Sequence, residues 1–312
     1  MVNTRNDAKV TTRRPLIVAF LSEEEGARFG TDMLGSAVAV GRIPLERAYA
    51  LTDRDGHVVR TELERIGFLG TAPVELAAPH AYVECHIEQG PMLRAANVDV
   101  GIVTGVQAIC WHELVITGRS AHAGTTPMNL RADPGVAASR VQLALRELVR
   151  SGRFTDQLRA TMGVTQFQPG LVNVVPNRVV ASVDIRHPDD AVLRRAEAEL
   201  IELYARIAAE EKVTLVHRQS ARTPDIGFAP KVQDLVAKSA AARGLSAQRI
   251  VSGAGHDCQE LATRCPAGMV FVPGEYDGIS HNPREFSTPK QCADGVNVLL
   301  DVLTALAEEE GA

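Results

Sequence analysis

Leu16-Ile17-Val18-Ala19-Phe20-Leu21 runs directly into Ser22-Glu23-Glu24-Glu25-Gly26-Ala27-Arg28-Phe29. A continuous apolar run of this length reads as a strand buried on both faces of an α/β sheet, and it delivers several carboxylates to the loop that follows. Open α/β sheets place their ligands at such strand ends. Neighbouring carboxylates there suit metal-assisted hydrolysis, one holding a divalent cation while the next takes a proton from water. Taken alone, the run also reads as a solvated acidic turn.

Three further segments carry related chemistry. His86-Ile87-Glu88-Gln89-Gly90-Pro91 follows an alternating stretch, Ala81 to Cys85, and closes on a Gly-Pro turn. Gly253-Ala254-Gly255-His256-Asp257 and Ser280-His281-Asn282-Pro283 are the other two. A lone histidine is more often a hydrogen-bonded structural residue than a ligand. Three of them, each at a strand end or glycine-rich turn and joined by a carboxylate pair, describe a site assembled from distant parts of the chain. Cys258 is a second candidate nucleophile, but no orienting group for a thiolate is evident beside it.

The ordered set Glu-Glu-Gly-x-Arg-Phe, His-Ile-Glu-Gln-Gly-Pro, Gly-x-x-Ala-His-Ala-Gly-x-Thr-Pro-Met, Asn-x-Val-Pro, Gly-His-Asp and Ser-His-Asn-Pro closely resembles the hydantoinase/carbamoylase amidases of the M20 metallopeptidase superfamily. That group includes N-carbamoyl-L-amino acid hydrolases, β-ureidopropionases and allantoate amidohydrolases. The resemblance implies an α/β fold: a catalytic metallohydrolase domain with a mixed sheet flanked by helices, into which an α+β ferredoxin-like dimerisation and lid domain is inserted. It implies Glu24 as general base, Glu25 and His281 as ligands of one metal and His86 as a ligand of a second. Gln89 and His256 match pocket-lining residues. His122, Asn173 and Arg186 match residues of the smaller domain that reach the pocket, usually from the neighbouring subunit, and Asn173 and Arg186 keep the family's spacing. The expected cofactor is Zn2+ or Mn2+, two ions per subunit.

Each role has a physical rationale. The planar guanidinium of Arg186 can grip a substrate carboxylate bidentately, although a plain ion pair with Asp184 on the same strand face is the alternative. His122 suits stabilisation of the oxyanion formed when hydroxide attacks a carbamoyl carbon. The family also carries a Gly-Ser-His-x-Asp type segment and a metal-bridging aspartate further upstream than the 24 residues before Glu25 allow. A reading without them expects an incomplete N-terminal part and weakened metal binding, since catalytic zinc ordinarily has three protein ligands. Either the start lies further upstream than assigned or the segment is truly absent. The expected activity is hydrolysis of an N-carbamoyl-L-amino acid, with allantoate as the alternative substrate and a non-catalytic remnant as the alternative of another class.

The middle of the chain forms its own pattern. Strand Ile109 to Thr117, helix Asp133 to Arg150, strands Ala160 to Phe167 and Arg178 to His187, helix Asp189 to Glu211 and strand Val213 to His217 give the β-α-β-β-α-β order of a ferredoxin-like unit. Asp133 is placed as N-cap with Pro134 in the first turn, and Ala137, Val141, Leu145 and Leu148 form one face. Val192, Ala196, Leu200, Leu203 and Ile207 repeat that stripe on the second helix. The domains are therefore expected at 108–219 (dimerisation and lid) and at 1–107 with 220–312 (catalytic). Helices are expected from Ala229 to Arg243 and from Gln291 to Glu308, with Glu308 to Glu310 as a frayed, solvated tail.

At 312 residues the chain has room for two domains, and its 45% apolar content is that of a soluble globular protein. A net charge of −5 without a dense basic cluster argues against nucleic acid, and no apolar run is long enough to span a membrane. The odd set of five scattered cysteines, with no Cys-x-x-Cys, fits reduced thiols in a cytoplasmic protein. The resemblance implies a homodimer whose partner is its small-molecule substrate.

Overall fold

Two sheets organise the protein. The computed structural model describes residues 6–74 and 79–309. These divide into one unit up to Val106 and again from Ile226, and a second over Gln107–Asp225.

The first unit is built on a five-stranded mixed sheet. Tyr82–Ile87 lies at one edge and pairs parallel with Ala267–Val272, which pairs antiparallel with Val100–Val106. The last strand also pairs parallel with Ala247–Ser252 and antiparallel with the short Ile226–Gly227. Val100–Val106 is buried almost throughout, as a strand covered on both faces must be.

On one face the helices Pro230–Ala242 and Pro289–Glu308 bring Val232, Val236, Val298, Val302 and Leu306 onto Val100, Ile102 and Val270. Glycine permits this close approach: a Cβ on Gly268 would lie 2.5 Å from Val232 Cγ1, and one on Gly295 would lie 2.5 Å from Val272 Cγ1. The second helix opens with a capping box between Thr288 and Gln291. On the other face Leu93, Val103, Phe228, Cys258, Met269 and Phe271 form a separate core.

Leu16 to Leu21, read from sequence as a buried strand, is not one. The segment has no regular structure, and Ile17, Val18 and Phe20 are 74%, 57% and 94% exposed. A strand is held by ladder hydrogen bonds to a neighbour, and among the described residues no strand pairs with this run. The end of the chain differs in the opposite sense. Glu309 is anchored by Lys231 Nζ at 2.5 Å and His80 Nε2 at 2.8 Å rather than frayed, while Glu310 lies outside the described residues.

The second unit carries a fully antiparallel sheet in the order Arg159–Thr161, Arg178–His187, Ala108–Thr117, Thr214–Thr223, with Thr165–Gln168 also on Arg178–His187. This is the strand order of a ferredoxin-like β-α-β-β-α-β arrangement. Pro134–Arg150 and Asp190–Glu210 pack on it, burying Ala137, Val141, Leu145, Leu193, Leu200 and Ile207 against Leu114, Ile116, Val179 and Ile185. Asp133 caps the first helix through Gly135 N at 2.8 Å, and Asp189 caps the second through Ala191 N at 2.7 Å.

Two local differences from the sequence reading have clear causes. The strand expected from Ala160 to Phe167 is interrupted near Val164, whose N–H donates to the Ser182 hydroxyl at 3.0 Å. The last strand runs past His217 to Thr223 across a register shift beside Trp111 and His112, which carries this unit to Asp225. On the second helix Leu193 is fully buried where Val192 is only partly so.

Candidate active site

The two-residue period of Tyr82–Ile87 puts Tyr82, Glu84 and His86 on one face, while Val83 and Cys85 turn to the helical core. His86 Nδ1 lies 2.8 Å from the Ile87 carbonyl. A carbonyl only accepts, so Nδ1 carries the hydrogen and Nε2 is left with a free lone pair, the tautomer a metal ligand needs. The ring of His256 packs 4.7 Å from that of His86.

His256 is itself buried, with Nε2 2.8 Å from the Ser252 hydroxyl. That hydroxyl donates to the Ala254 carbonyl, so Nε2 donates to it and Nδ1 keeps an unpartnered lone pair 3.8 Å from Glu84 Oε1. Burial, and then His86, pulls His256 down to about 3, so the imidazole is neutral. Glu84 accepts from Cys258 N at 2.9 Å and from the Tyr82 hydroxyl at 3.2 Å. Burial and the nearby Asp257 charge nevertheless raise it to about 7. Asp257 is raised as well, chiefly by burial, and its Oδ1 has no hydrogen-bond partner.

The acidic loop is shaped by its own first carboxylate: Glu23 accepts from Arg28 N and Phe29 N, both at 2.6 Å. Backbone bonds from Met33 N to Glu24 O (2.7 Å) and from Gly35 N to Ser22 O (2.9 Å) tie the loop to the helix Leu34–Ala39. Glu24 is raised to about 7 by burial, then by Glu25, Asp257 and Glu84, with His86 acting in the opposite direction. Glu25 Oε2 stands 3.3 Å from His281 Nε2. His281 adopts φ 52°, a left-handed conformation. Its loop is held because His281 N and the Ser280 hydroxyl both donate to Glu285 Oε2, at 3.0 and 3.1 Å. Gln89 Nε2 in turn donates to Ser280 Oγ at 3.1 Å.

These residues thus come from four distant segments: His86 lies at the end of Tyr82–Ile87, with Gln89 just past it, and His256 and His281 follow Ala247–Ser252 and Ala267–Val272, whereas Glu24 and Glu25 follow a segment that is not a strand. The Glu25–His281 separation fits two ligands of one cation, since zinc bonds of about 2.0–2.2 Å at tetrahedral angles place donors roughly 3.3 Å apart. The crowding of Glu24, Glu25, Glu84 and Asp257 also favours a cation. Among the described residues, three donors close together occur elsewhere, at Cys110–His112–Glu197 and Asp53–Asp55–His57, so Glu25 and His281 form a pair.

The remaining sequence candidates lie in the second unit. His122 pairs with Val174 in a two-residue ladder, and its Nδ1 accepts from Gly124 N at 3.0 Å and Thr125 N at 3.3 Å. The hydrogen therefore sits on Nε2. The Asn173 carbonyl accepts from Ala123 N, and the residue is exposed. Arg186 is bound to Asp184, with Nη2 2.7 Å from Oδ2 and Nε 3.0 Å from both carboxylate oxygens. The sequence reading gives Glu84 no role, and Asp257 enters it only as part of the Gly-His-Asp motif. The signal for Glu84 was its place two residues before His86, on the same strand face.

Residues 1–305 match the family described as Peptidase family M20/M25/M40. The chain belongs to this family. It is 39% identical over 313 residues to an N-carbamoyl-L-amino-acid amidohydrolase of Rhizobium meliloti, covering 98% of this chain and 73% of that protein. It is 35% identical to the allantoate amidohydrolase of Bacillus subtilis (strain 168), covering 95% and 71%. A hydantoinase/carbamoylase family amidase from Burkholderia multivorans superposes with a TM-score of 0.91 at 40% identity, over 99% of this chain and 75% of that one. This M20 chain is accordingly a hydrolase with candidate ligands for a divalent metal. Among its described residues no helix is long and apolar enough to cross a membrane.

Proposed function

We propose that the chain is a divalent-metal-dependent amidohydrolase cleaving the carbamoyl C–N bond of an N-carbamoyl-L-amino acid. The observation that carries the reading is the meeting of Glu25 Oε2 and His281 Nε2 at 3.3 Å beside a Glu24 raised to about 7. Glu25 and His281 would hold one cation, and His86 Nε2 would contribute to a second. When bound, a divalent ion supplies Lewis acidity for a carbonyl oxygen and makes water more acidic.

Glu24 takes a proton from the attacking water as oxygen bonds to the carbamoyl carbon, then returns it to the amino acid nitrogen as the C–N bond breaks. The products are the free amino acid and carbamate, which decomposes to ammonia and carbon dioxide. As the resemblance implies, the neighbouring subunit's second unit would supply His122 as donor to the developing oxyanion, supported by Asn173, and Arg186 for the substrate carboxylate, while Gln89 and His256 line the pocket. Residues 108–219 serve as dimerisation and lid domain for a homodimer, and the free thiols of Cys85, Cys110, Cys258, Cys265 and Cys292 suit the cytoplasm.

Allantoate is the second reading, favoured by the likeness to the Bacillus subtilis enzyme. Ammonia release from a panel of N-carbamoyl-L-amino acids and from allantoate, with Zn2+ or Mn2+ supplied separately, separates the substrates and the metals. No release from any of them under either metal would refute the proposal.

A further inference from the structure

Within Gln107–Asp225, well away in sequence from the acidic loop, Cys110, His112 and Glu197 meet under the aromatic rings of Tyr204 and His217. Cys110 and His112 project from the same face of Ala108–Thr117 and are buried; Glu197 reaches them from the helix Asp190–Glu210. Their donor atoms form a compact triangle. Cys110 Sγ lies 3.5 Å from His112 Nε2 and 3.3 Å from Glu197 Oε1, and the last two atoms are 3.1 Å apart. Thiolate, imidazole and carboxylate bound tetrahedrally to zinc stand roughly 3.3–3.6 Å from one another, so the triangle is close to one face of such a site.

The surroundings have the form that metal ligands require. The atom of each ligand turned away from the triangle is held: His112 Nδ1 lies 3.4 Å from the Tyr204 hydroxyl, and Glu197 Oε2 is bound by Arg222. Arg222 also reaches Asp190 Oδ1 at 2.6 Å. With a divalent ion, a Cys110 thiolate and neutral His112, the ion and Arg222 oppose the negative charges of Cys110, Glu197 and Asp190, and Asp190 is also paired with the exposed Arg194 at 2.8 Å. Opposite charges set against one another in this way lower the large penalty of an isolated buried ion. The His217 ring, 5.5 Å from that of His112, stands beside the group as a source for a fourth position.

We propose that Cys110, His112 and Glu197 form a zinc-class metal site in the second unit, structural in role and separate from the candidate active site. It pins strand to helix across the core of that unit.

The test uses the full chain loaded with Co2+. A thiolate-to-cobalt charge-transfer absorption in the near ultraviolet is expected, and Cys110→Ser should abolish it together with about one equivalent of bound metal. Glu25→Gln and Cys258→Ser should both keep the band, which separates this site from the catalytic one. Absence of the band in the cobalt-loaded unmodified chain, or its persistence in Cys110→Ser, would overturn the proposal. The spectrum of the unmodified chain needs no variant, so the test survives a Cys110→Ser protein that does not fold.

Discussion

Replacing Glu84 by glutamine keeps its shape and its ability to accept from Cys258 N and the Tyr82 hydroxyl, while removing the charge that burial disfavours. Burial and Asp257 raise this carboxyl from an ordinary 4.5 to about 7. Because the folded value is the higher one, the folded state holds the proton more tightly. Its contribution to stability is complete below pH 4.5, declines as the pH rises, and is gone above about 7. At 1.36 kcal/mol per unit, the ionised side chain destabilises the fold by ~3 kcal/mol at pH 8 and by under ~1 kcal/mol at pH 5.

Glu84→Gln should therefore raise the urea midpoint of the chelator-treated protein clearly at pH 8 and little at pH 5. The single tryptophan, Trp111, belongs to the second unit, so fluorescence would follow the wrong transition. Far-ultraviolet circular dichroism, or hydrogen exchange of the amides from Tyr82 to Ile87, is the readout. An equal change at both pH values, or a lowered midpoint at pH 8, would refute the burial argument.

Glu24→Gln should reduce kcat/KM by about 10²- to 10⁴-fold in the ammonia assay while leaving metal content unchanged. A saturating divalent ion should raise the midpoint of the first unit, by ~2.7 kcal/mol at a hundredfold excess over Kd, and His281→Ala should remove that gain in calorimetry. Leu145→Ala opens a cavity in the fully packed core of the second unit and should cost about 2–5 kcal/mol, read by Trp111 fluorescence during urea unfolding.

The second unit was largely legible in sequence because local signals and tertiary packing agree there. Asp133 followed by Pro134 marks a helix start, and Val179, Ala181, Val183 and Ile185 alternate into the core as the period of a strand requires. Leu16 to Leu21 was misread because apolarity reports a preference for burial, whereas strand formation also needs a neighbouring backbone. The meeting of Glu25 with His281 was expected only through the resemblance to a known family that the ordered motifs carry. The Glu84–Asp257–His256 network was not expected, since a glutamate alternating with apolar residues looks like a solvent-facing position until the opposite chain segment is known. Likewise, Cys110 and His112 read as ordinary strand residues until a helix brings Glu197 over them.

Gly35 gives the acidic loop a control point outside the chemistry. A Cβ there would fall 2.6 Å from Ser22 N and 2.9 Å from Ser22 O, main-chain atoms that cannot swing aside as a flexible side chain would. One added methyl at this contact would lever the irregular segment before Ser22 away from the helix Leu34–Ala39 and shift Glu24 with it. The proposed reactivity of Glu24 thus depends partly on the bare backbone of Gly35, and a screen confined to polar positions would overlook it.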